Sequence, residues 1–450
     1  MWLPYLDQYA GPRYLALLKA LETDIRTGKL MPGERLPPQR LLADLLGVHL
    51  STITRAYKAA IERNLLTAET GNGTFVSFPN QANRLFALSH PEKISVDLSV
   101  STSPQLANDD DLNQTLASLS QTRSLASCLA YRSWEAWFPL KQALAGWLGQ
   151  HGVQDVSPEA ITLCAGAQHA LTEVLSRMAK TGESVLCESL TYPGLKTVAA
   201  QFGIRLQGIP LTDDGIDLAA LEKRLKQGGI RLLVLMPTLQ NPTTASMSLA
   251  TRQQLVQLLA QYQITVIEED VYGPLAAAAH TPLLTLAPEH VIYISGLSKT
   301  VAPGLRLGMI VDPGQHLGLG EGHWHSTSWY VNPLLADVAL RWLEDGTALR
   351  RLRNQGHELQ ARHQIVDELL KEKTREPRCP HRWVPLPTAK DSAILAGLLA
   401  SHGILVAADS VFSTDGKTGP FGIRLALGTA TDHSQLRYAI ETLRELKQRL

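Results

Sequence analysis

Two rhythms of apolar and polar positions divide the chain. Near the amino end apolar residues recur every three or four positions: Leu15, Leu18, Leu21 and Ile25, then Leu41, Leu42 and Leu45, then Ile53, Ala56, Tyr57 and Ile61. That period predicts amphipathic helices over 15–27, 38–46 and 50–63, with Gly28 and Gly47 ending the first two and Pro32-Gly33 turning the chain between them. Residues 66–69 and 74–77, joined by Thr70-Gly71-Asn72-Gly73, read as a β-hairpin because the glycines supply positive φ. Two helices parted by a glycine-containing turn, a further helix and a hairpin make a winged helix-turn-helix over 1–78.

A stretch at 79–95 with Pro79, Asn80, Gln81, Pro91 and Glu92 has no period and reads as a linker. The second rhythm fills 96–450, where short unbroken apolar runs alternate with helical ones. The runs at 160–165, 184–188, 232–237, 265–269, 291–294 and 307–311 have the character of strands buried on both faces, so a mostly parallel sheet covered by helices is expected. Long charged helices over 349–373 and 433–450 then frame a small α+β subdomain, about 331–450, with 423–426 as its edge strand. The fold class is therefore multidomain: a winged helix-turn-helix head and a large α/β body.

Composition narrows the function. Charge is balanced, with 42 Lys+Arg against 42 Asp+Glu, so any nucleic-acid role must be local. Residues 1–78 carry nine basic and seven acidic residues, which requires a clustered basic surface on the head. Cys128, Cys164, Cys187 and Cys379 are scattered without metal spacing and read as reduced thiols of a cytoplasmic protein. No apolar run approaches ~18 residues, so no membrane span is expected, and the amino end does not read as a signal peptide. His323-Trp324-His325 after Glu321 lacks further ligands and reads as a loop, so no metal is expected. There is no Ser-His-Asp arrangement and no Walker loop.

The candidate chemistry gathers where strands of the body end. An apolar run stops at Lys299, and a turn with Pro303 and Gly304 then presents Arg306. A buried lysine has a lowered pKa and forms imines, and an arginine is a fork of donors for phosphate. Together they suit an aldehyde cofactor bearing a phosphate, pyridoxal 5'-phosphate; lysine and arginine alone would still favour a plain solvated loop. The full string, Ser295-Gly-Leu-Ser298-Lys299-Thr-Val-Ala-Pro-Gly-Leu-Arg306-Leu-Gly308, resembles the lysine loop of fold-type I aminotransferases. Gly166-Ala167-Gln168 follows a strand and opens a helix, a phosphate-binding position. Ser298 and Arg306 are the other phosphate candidates, and the amide of Asn241 can donate to the cofactor's phenolate oxygen. The resemblance further implies that Tyr192 stacks on the pyridine and that Asp270 pairs with its nitrogen, the neighbouring Glu268 and Glu269 being helix-start or solvated charges. It also implies that Tyr272 stands in for a family tyrosine, that Arg424 clamps a substrate carboxylate, and that Tyr131 reaches the phosphate of a second subunit. The chain departs from the family at Ala136, Thr244, Gly273 and Gly296, and has Arg378 to Trp383 where a Gly-Gly pair is usual.

The head string Gly33-Glu-Arg35-Leu-Pro37-Pro-Gln-Arg40-Leu-Leu-Ala43, with Gly47-Val48, Arg55-Ala-Tyr57 and Gly71-x-Gly73-Thr-Phe-Val76, resembles the DNA-binding domain of GntR-family regulators. Arg35, Arg40, Arg55 and Lys58 can reach phosphates or guanine edges, and Ser51, Thr52 and Thr54 open the recognition helix. Leu50 stands where that family usually has arginine. Head and body together resemble the MocR/GabR group, in which a GntR head precedes a fold-type I aminotransferase-like body. The resemblance implies a domain-swapped homodimer that carries pyridoxal phosphate as an internal aldimine on Lys299 and binds promoter DNA. External aldimine formation with an amine or amino-acid effector would then be the sensed event. The alternative is an aminotransferase of the 2-aminoadipate or kynurenine type, with 2-oxoglutarate as acceptor and a vestigial head. The sequence leaves open whether transamination turns over.

Overall fold

The computed structural model describes residues 2–6, 9, 11–26, 29–30, 34–63, 65–69, 73–76, 95–106, 109–122, 125–277, 280–318, 327–328 and 330–450. The Pro32-Gly33 turn, the tip of the hairpin, all but the last residue of the linker over 79–95, and the Glu321 to His325 stretch lie outside the described residues. The chain divides into two compact units, 1–88 and 89–450.

In the first unit the helices run Arg13–Arg26, Gln39–Leu46 and Leu50–Glu62, and Leu66–Glu69 pairs antiparallel with Gly73–Val76. Gly47 ends the second helix in the left-handed region at φ 61°, which a side chain disfavours, and the chain reverses into the third helix there. The core is Leu17, Leu18, Leu21, Leu42, Ile53, Ala56, Tyr57 and Val76, joined by Trp2 and Leu6. The expected inward set is corrected at three positions. Leu41, Leu45 and Ile61 are exposed, while Ala43 and Ala60 face in, because the buried stripe runs through smaller residues that let the helices approach. The Tyr57 hydroxyl donates to the Pro37 carbonyl at 3.0 Å, tying the recognition helix to the chain before the second helix.

The second unit is built on a seven-stranded sheet. Its order is Ile161–Cys164, Gly308–Val311, Val291–Gly296, Thr265–Glu269, Leu232–Leu235, Ser184–Glu188, Arg205–Ile209. All six apolar runs singled out in the sequence become strands of this sheet; the seventh, Arg205–Ile209, is a half-exposed edge strand whose polar residues hid it. Gly308–Val311 alone runs antiparallel to its neighbours. One apolar layer covers each face. Ile267, Ile292 and Ile310 pack with Ala170, Leu171 and Leu195 on one side, and Val266, Val291 and Tyr293 pack with Leu283 and Leu284 on the other.

The small subdomain holds an antiparallel sheet of His381–Pro385, Gly422–Ala426 and Ala407–Ala408, packed by helices Thr347–Leu370, Ala389–Ser401 and His433–Lys447. The strand around Arg424 is thus central, not an edge. Two short strands from distant parts of the chain flank it, which local patterning does not reveal. Val96–Asp97, at the start of the body, pairs in parallel with Ile404–Leu405 and so belongs to this subdomain.

Candidate functional site

Lys299 stands in the turn that follows Val291–Gly296. Bonds from Leu297 N to Leu307 O at 2.9 Å and from Val301 N to Leu297 O at 2.8 Å close that turn over the sheet end. The ammonium of Lys299 donates to the backbone oxygen of Ser101 at 2.5 Å. Burial lowers its pKa to about 8, and the charges of Arg424 and Arg306 push it the same way. At that pKa roughly a tenth of the lysine is a neutral, nucleophilic amine at pH 7, several hundred-fold more than for an ordinary lysine.

The phosphate candidates converge. Arg306 adopts φ 47° and lays its guanidinium against Gly166, donating to Ala165 O at 3.2 Å and to Ser298 Oγ at 3.5 Å. A Cβ on Gly166 would lie 2.7 Å from Arg306 Nη2, so glycine is what leaves room for the guanidinium. Gly166 caps the helix Ala167–Met178, and its first-turn amides, including those of Ala167 and Gln168, have no partner within the helix. Gly308 passes just beneath: a Cβ there would sit 2.4 Å from the Gly166 carbonyl carbon. The departure at Gly296 has the same cause, since a Cβ would come within 2.9 Å of Leu307 O. Next to it, Ser295 Oγ donates to Asp270 O at 2.7 Å. The Gln168 side chain reaches Gly194 O at 3.2 Å beside the largely buried Tyr192, whose hydroxyl pKa is raised by burial.

The ligand side is equally built. Arg424 is 2% exposed, donates from Nη1 to Asn241 Oδ1 at 2.9 Å and from Nη2 to Ser99 O, and rests 4.9 Å from the Phe412 ring. Its Nε has no partner. The bond to Oδ1 orients the Asn241 amide so that its NH2 is available to another acceptor. Tyr272 is buried, shares a 3.2 Å hydrogen bond with Ser101 Oγ and meets the edge of His381. Burial raises its hydroxyl pKa to about 12.

The expectation for two carboxylates is corrected. Glu268 and Glu269 are neither helix-start nor solvated residues; both are buried, with carboxyl pKa values raised by desolvation to about 7. Glu268 accepts from Leu283 N and Leu284 N and lies 3.6 Å from Arg252 in a fully buried pair. Asp270 accepts from Gly273 N at 2.8 Å and from Tyr293 Oη at 3.0 Å, with His280 Nε2 at 3.4 Å. Sequence reasoning also missed Ser99, Ser101 and Gln355. Gln355 donates to Lys299 O at 2.5 Å and to Ser103 Oγ at 3.1 Å. Tyr131 is 79% exposed, its ring 6.1 Å from that of Tyr330. Among the described residues no His, Cys, Asp and Glu cluster could hold a metal, and no helix is long and apolar enough to cross a membrane.

On the head, Arg35, Arg40, Ser51, Thr54, Arg55 and Lys58 are exposed and Thr52 is half-buried. Arg55 lies 4.0 Å over the Tyr14 ring, and Thr54 Oγ1 donates to Gln39 Oε1 at 2.8 Å. His49 caps the recognition helix by accepting from Ser51 N, a contact the sequence reading did not include.

The residues of the body fit pyridoxal phosphate. An unpartnered helix start with an arginine and a serine suits its phosphate, and a depressed-pKa lysine suits its aldehyde. Residues 93–443 match the family described as aminotransferase class I and II, and residues 13–76 match bacterial regulatory proteins of the gntR family. The HTH-type transcriptional regulator YdeF of Bacillus subtilis is 30% identical over 448 residues, covering 99% of this chain and 96% of that one. PtsJ of Salmonella typhimurium, a vitamin B6 salvage pathway transcriptional repressor, is 26% identical over 92% of this chain and 94% of its own. The solved kynurenine aminotransferase of Pyrococcus horikoshii, in complex with PMP, superimposes with a TM-score of 0.73 at 25% identity, covering 82% of this chain and 94% of that one. The chain belongs to the MocR/GabR type of GntR-family regulators, in which a gntR head is joined to a class I and II aminotransferase body of fold type I.

Proposed function

We propose that the protein is a pyridoxal-phosphate-dependent transcriptional regulator that binds promoter DNA through its head and senses an amine or amino acid at Lys299. The observation that carries this reading is a pair of hydrogen bonds. Lys299 Nζ donates to Ser101 O and Arg424 Nη2 donates to Ser99 O, and both acceptors lie in the stretch that joins the linker to the body. With pyridoxal phosphate bound, an amino acid's amine would take the place of Lys299 on the aldehyde and its carboxylate would compete with Ser99 O for Arg424, so both contacts to this stretch would change. Ligand binding therefore has a different free energy depending on whether Ser99 to Ser101 is held or released, which is the requirement for coupling. Bound pyridoxal phosphate supplies an aldehyde that exchanges one amine for another. Arg306, Ser298 and the amides after Gly166 would hold its phosphate, Tyr192 would cover its ring, Asn241 and Tyr272 would serve its phenolate oxygen, and Arg424 would take the effector's carboxylate.

The exposed apolar side chains Leu129, Tyr131, Trp134 and Phe138, close together in sequence, support a homodimer in which Tyr131 would complete the partner's phosphate site and the heads would be exchanged between subunits. DNA reading belongs to Arg35, Arg40, Ser51, Thr52, Thr54, Arg55 and Lys58, and a protein that works on promoters works in the cytoplasm. A second reading, weak transamination, is favoured by the depressed pKa of Lys299, because a free lysine amine also moves protons between substrate and cofactor.

Gel-shift titration of promoter DNA with and without pyridoxal phosphate, for wild type and Lys299→Ala, tests the regulator reading. It predicts that the cofactor changes wild-type affinity and leaves the variant unchanged. Identical affinities in all four conditions would overturn it.

A further inference from the structure

Glu268, Glu269 and Asp270 end one strand, and alternation along a strand sends neighbours to opposite faces. Glu268 and Asp270 share the face of Tyr293, Leu283 and Leu284, where every bond described for them is made. Asp270 accepts from Gly273 N and the Tyr293 hydroxyl, with His280 3.4 Å away. Glu269 shares the other face with Ile267, which packs on Ala170, Leu171 and Leu195 of the two helices that start beside Gly166 and Tyr192. No described residue donates a hydrogen bond to Glu269, although it is only 5% exposed. It is close enough to Lys299 for each charge to act on the other. The phosphate cradle, the Tyr192 ring, the reactive lysine and one unpartnered carboxyl therefore lie on the same side of the sheet.

We infer that Glu269, rather than Asp270, is the carboxylate that faces the ring nitrogen of bound pyridoxal phosphate. The inference rests on the reading that the body binds this cofactor. A buried carboxyl with no donor is costly, and a protonated ring nitrogen supplies both the missing donor and a countercharge. The proton balance closes without another group. Desolvation leaves Glu269 protonated for much of the time near pH 7, and that proton passes to the ring nitrogen, leaving an ion pair. Asp270, with its acceptors engaged on the far face, positions the strand end through Gly273 and Tyr293 instead.

The test uses full-length protein and pyridoxal phosphate labelled with ¹⁵N in the ring. The ¹⁵N shift reports whether the nitrogen is protonated, and equilibrium dialysis gives the affinity. The wild type and Glu269→Asp should show the protonated shift. Glu269→Gln should show the unprotonated shift and bind the cofactor about tenfold or more weakly, as expected for loss of a hydrogen bond between charged groups. Asp270→Asn should keep the protonated shift; if its buried bonds prove essential for folding, the Gln and Asp variants at 269 decide alone. A Glu269→Gln protein with wild-type shift and affinity overturns the inference while leaving cofactor binding intact. A wild type that takes up no labelled cofactor overturns both.

Discussion

Lys299 and Arg424 both donate to backbone oxygens of one short polar segment, Lys299 to Ser101 and Arg424 to Ser99. Neither bond involves a side chain of that segment, yet together they tie the reactive amine and the carboxylate clamp to the chain that leaves the linker. The same segment is held to the small subdomain through Val96–Asp97 beside Ile404–Leu405, and Ser95 N bonds Gly403 O at 2.9 Å.

Replacing Arg424 with alanine removes the clamp and leaves Asn241 without its 2.9 Å donor. A charge-assisted bidentate pair contributes about 2–3 kcal/mol, so amino-acid affinity should fall roughly 30- to 150-fold. Affinity for simple amines lacking a carboxylate should change little. Calorimetric titration of the cofactor-loaded protein with an amino acid and its decarboxylated amine separates the two effects.

Gly308→Ala places a methyl group 2.4 Å from the Gly166 backbone, where no flexible side chain can yield. The strand must shift against the phosphate-binding turn, at a cost of about 1–3 kcal/mol. Thermal unfolding should show the loss in the protein without cofactor, and pyridoxal phosphate affinity should fall with it. Gly304→Ala, which meets nothing within 4 Å, is the control that should leave both unchanged.

The pH dependence of cofactor capture follows from Lys299. Its folded pKa, about 8, lies below the 10.5 of an ordinary lysine, so the protonated form is the one disfavoured by folding. The neutral amine that attacks an aldehyde is abundant above about pH 8 and is lost as pH falls below it. The rate of visible-band formation should rise with pH through about 8 and level off, whereas an exposed lysine would keep rising toward 10.5. Arg306→Gln, which removes one of the charges depressing the value, should move the midpoint upward.

On the head, Lys58 and Arg40 are exposed cations, and alanine at either should weaken DNA binding similarly for all sequences while lowering the salt slope by about one. Arg55→Ala has a further effect because its guanidinium stacks 4.0 Å over Tyr14. That variant should lose stability as well as affinity. Filter binding across a salt series, with thermal unfolding beside it, distinguishes them.

The large sheet was legible because strands buried on both faces must be apolar throughout, and all six such runs became strands. Arg205–Ile209 escaped because an edge strand tolerates polar residues. The central place of Gly422–Ala426 was hidden since its neighbours come from His381–Pro385 and the two residues Ala407–Ala408. Lys299, Arg306 and the Gly166 turn carry a distinctive spelling, and the structure brings Arg306 against Gly166 and Ser298. The carboxylates were not legible: three acids in a row look solvated, yet Glu268 and Glu269 are buried and Asp270 is bonded to Gly273 N and the Tyr293 hydroxyl. Ser99 and Ser101 act through carbonyl oxygens, which every residue has, so no residue type could have marked them.

The most direct measurement follows the bound cofactor's visible absorbance and the fraction of promoter DNA bound in one titration, adding a panel of amino acids and amines to purified protein loaded with pyridoxal phosphate. One compound class should shift the absorbance and the DNA-bound fraction together, with the same midpoint, and Lys299→Ala should abolish both responses. An absorbance that shifts while DNA binding stays constant, or a protein that remains colourless after soaking in the cofactor, would contradict the account.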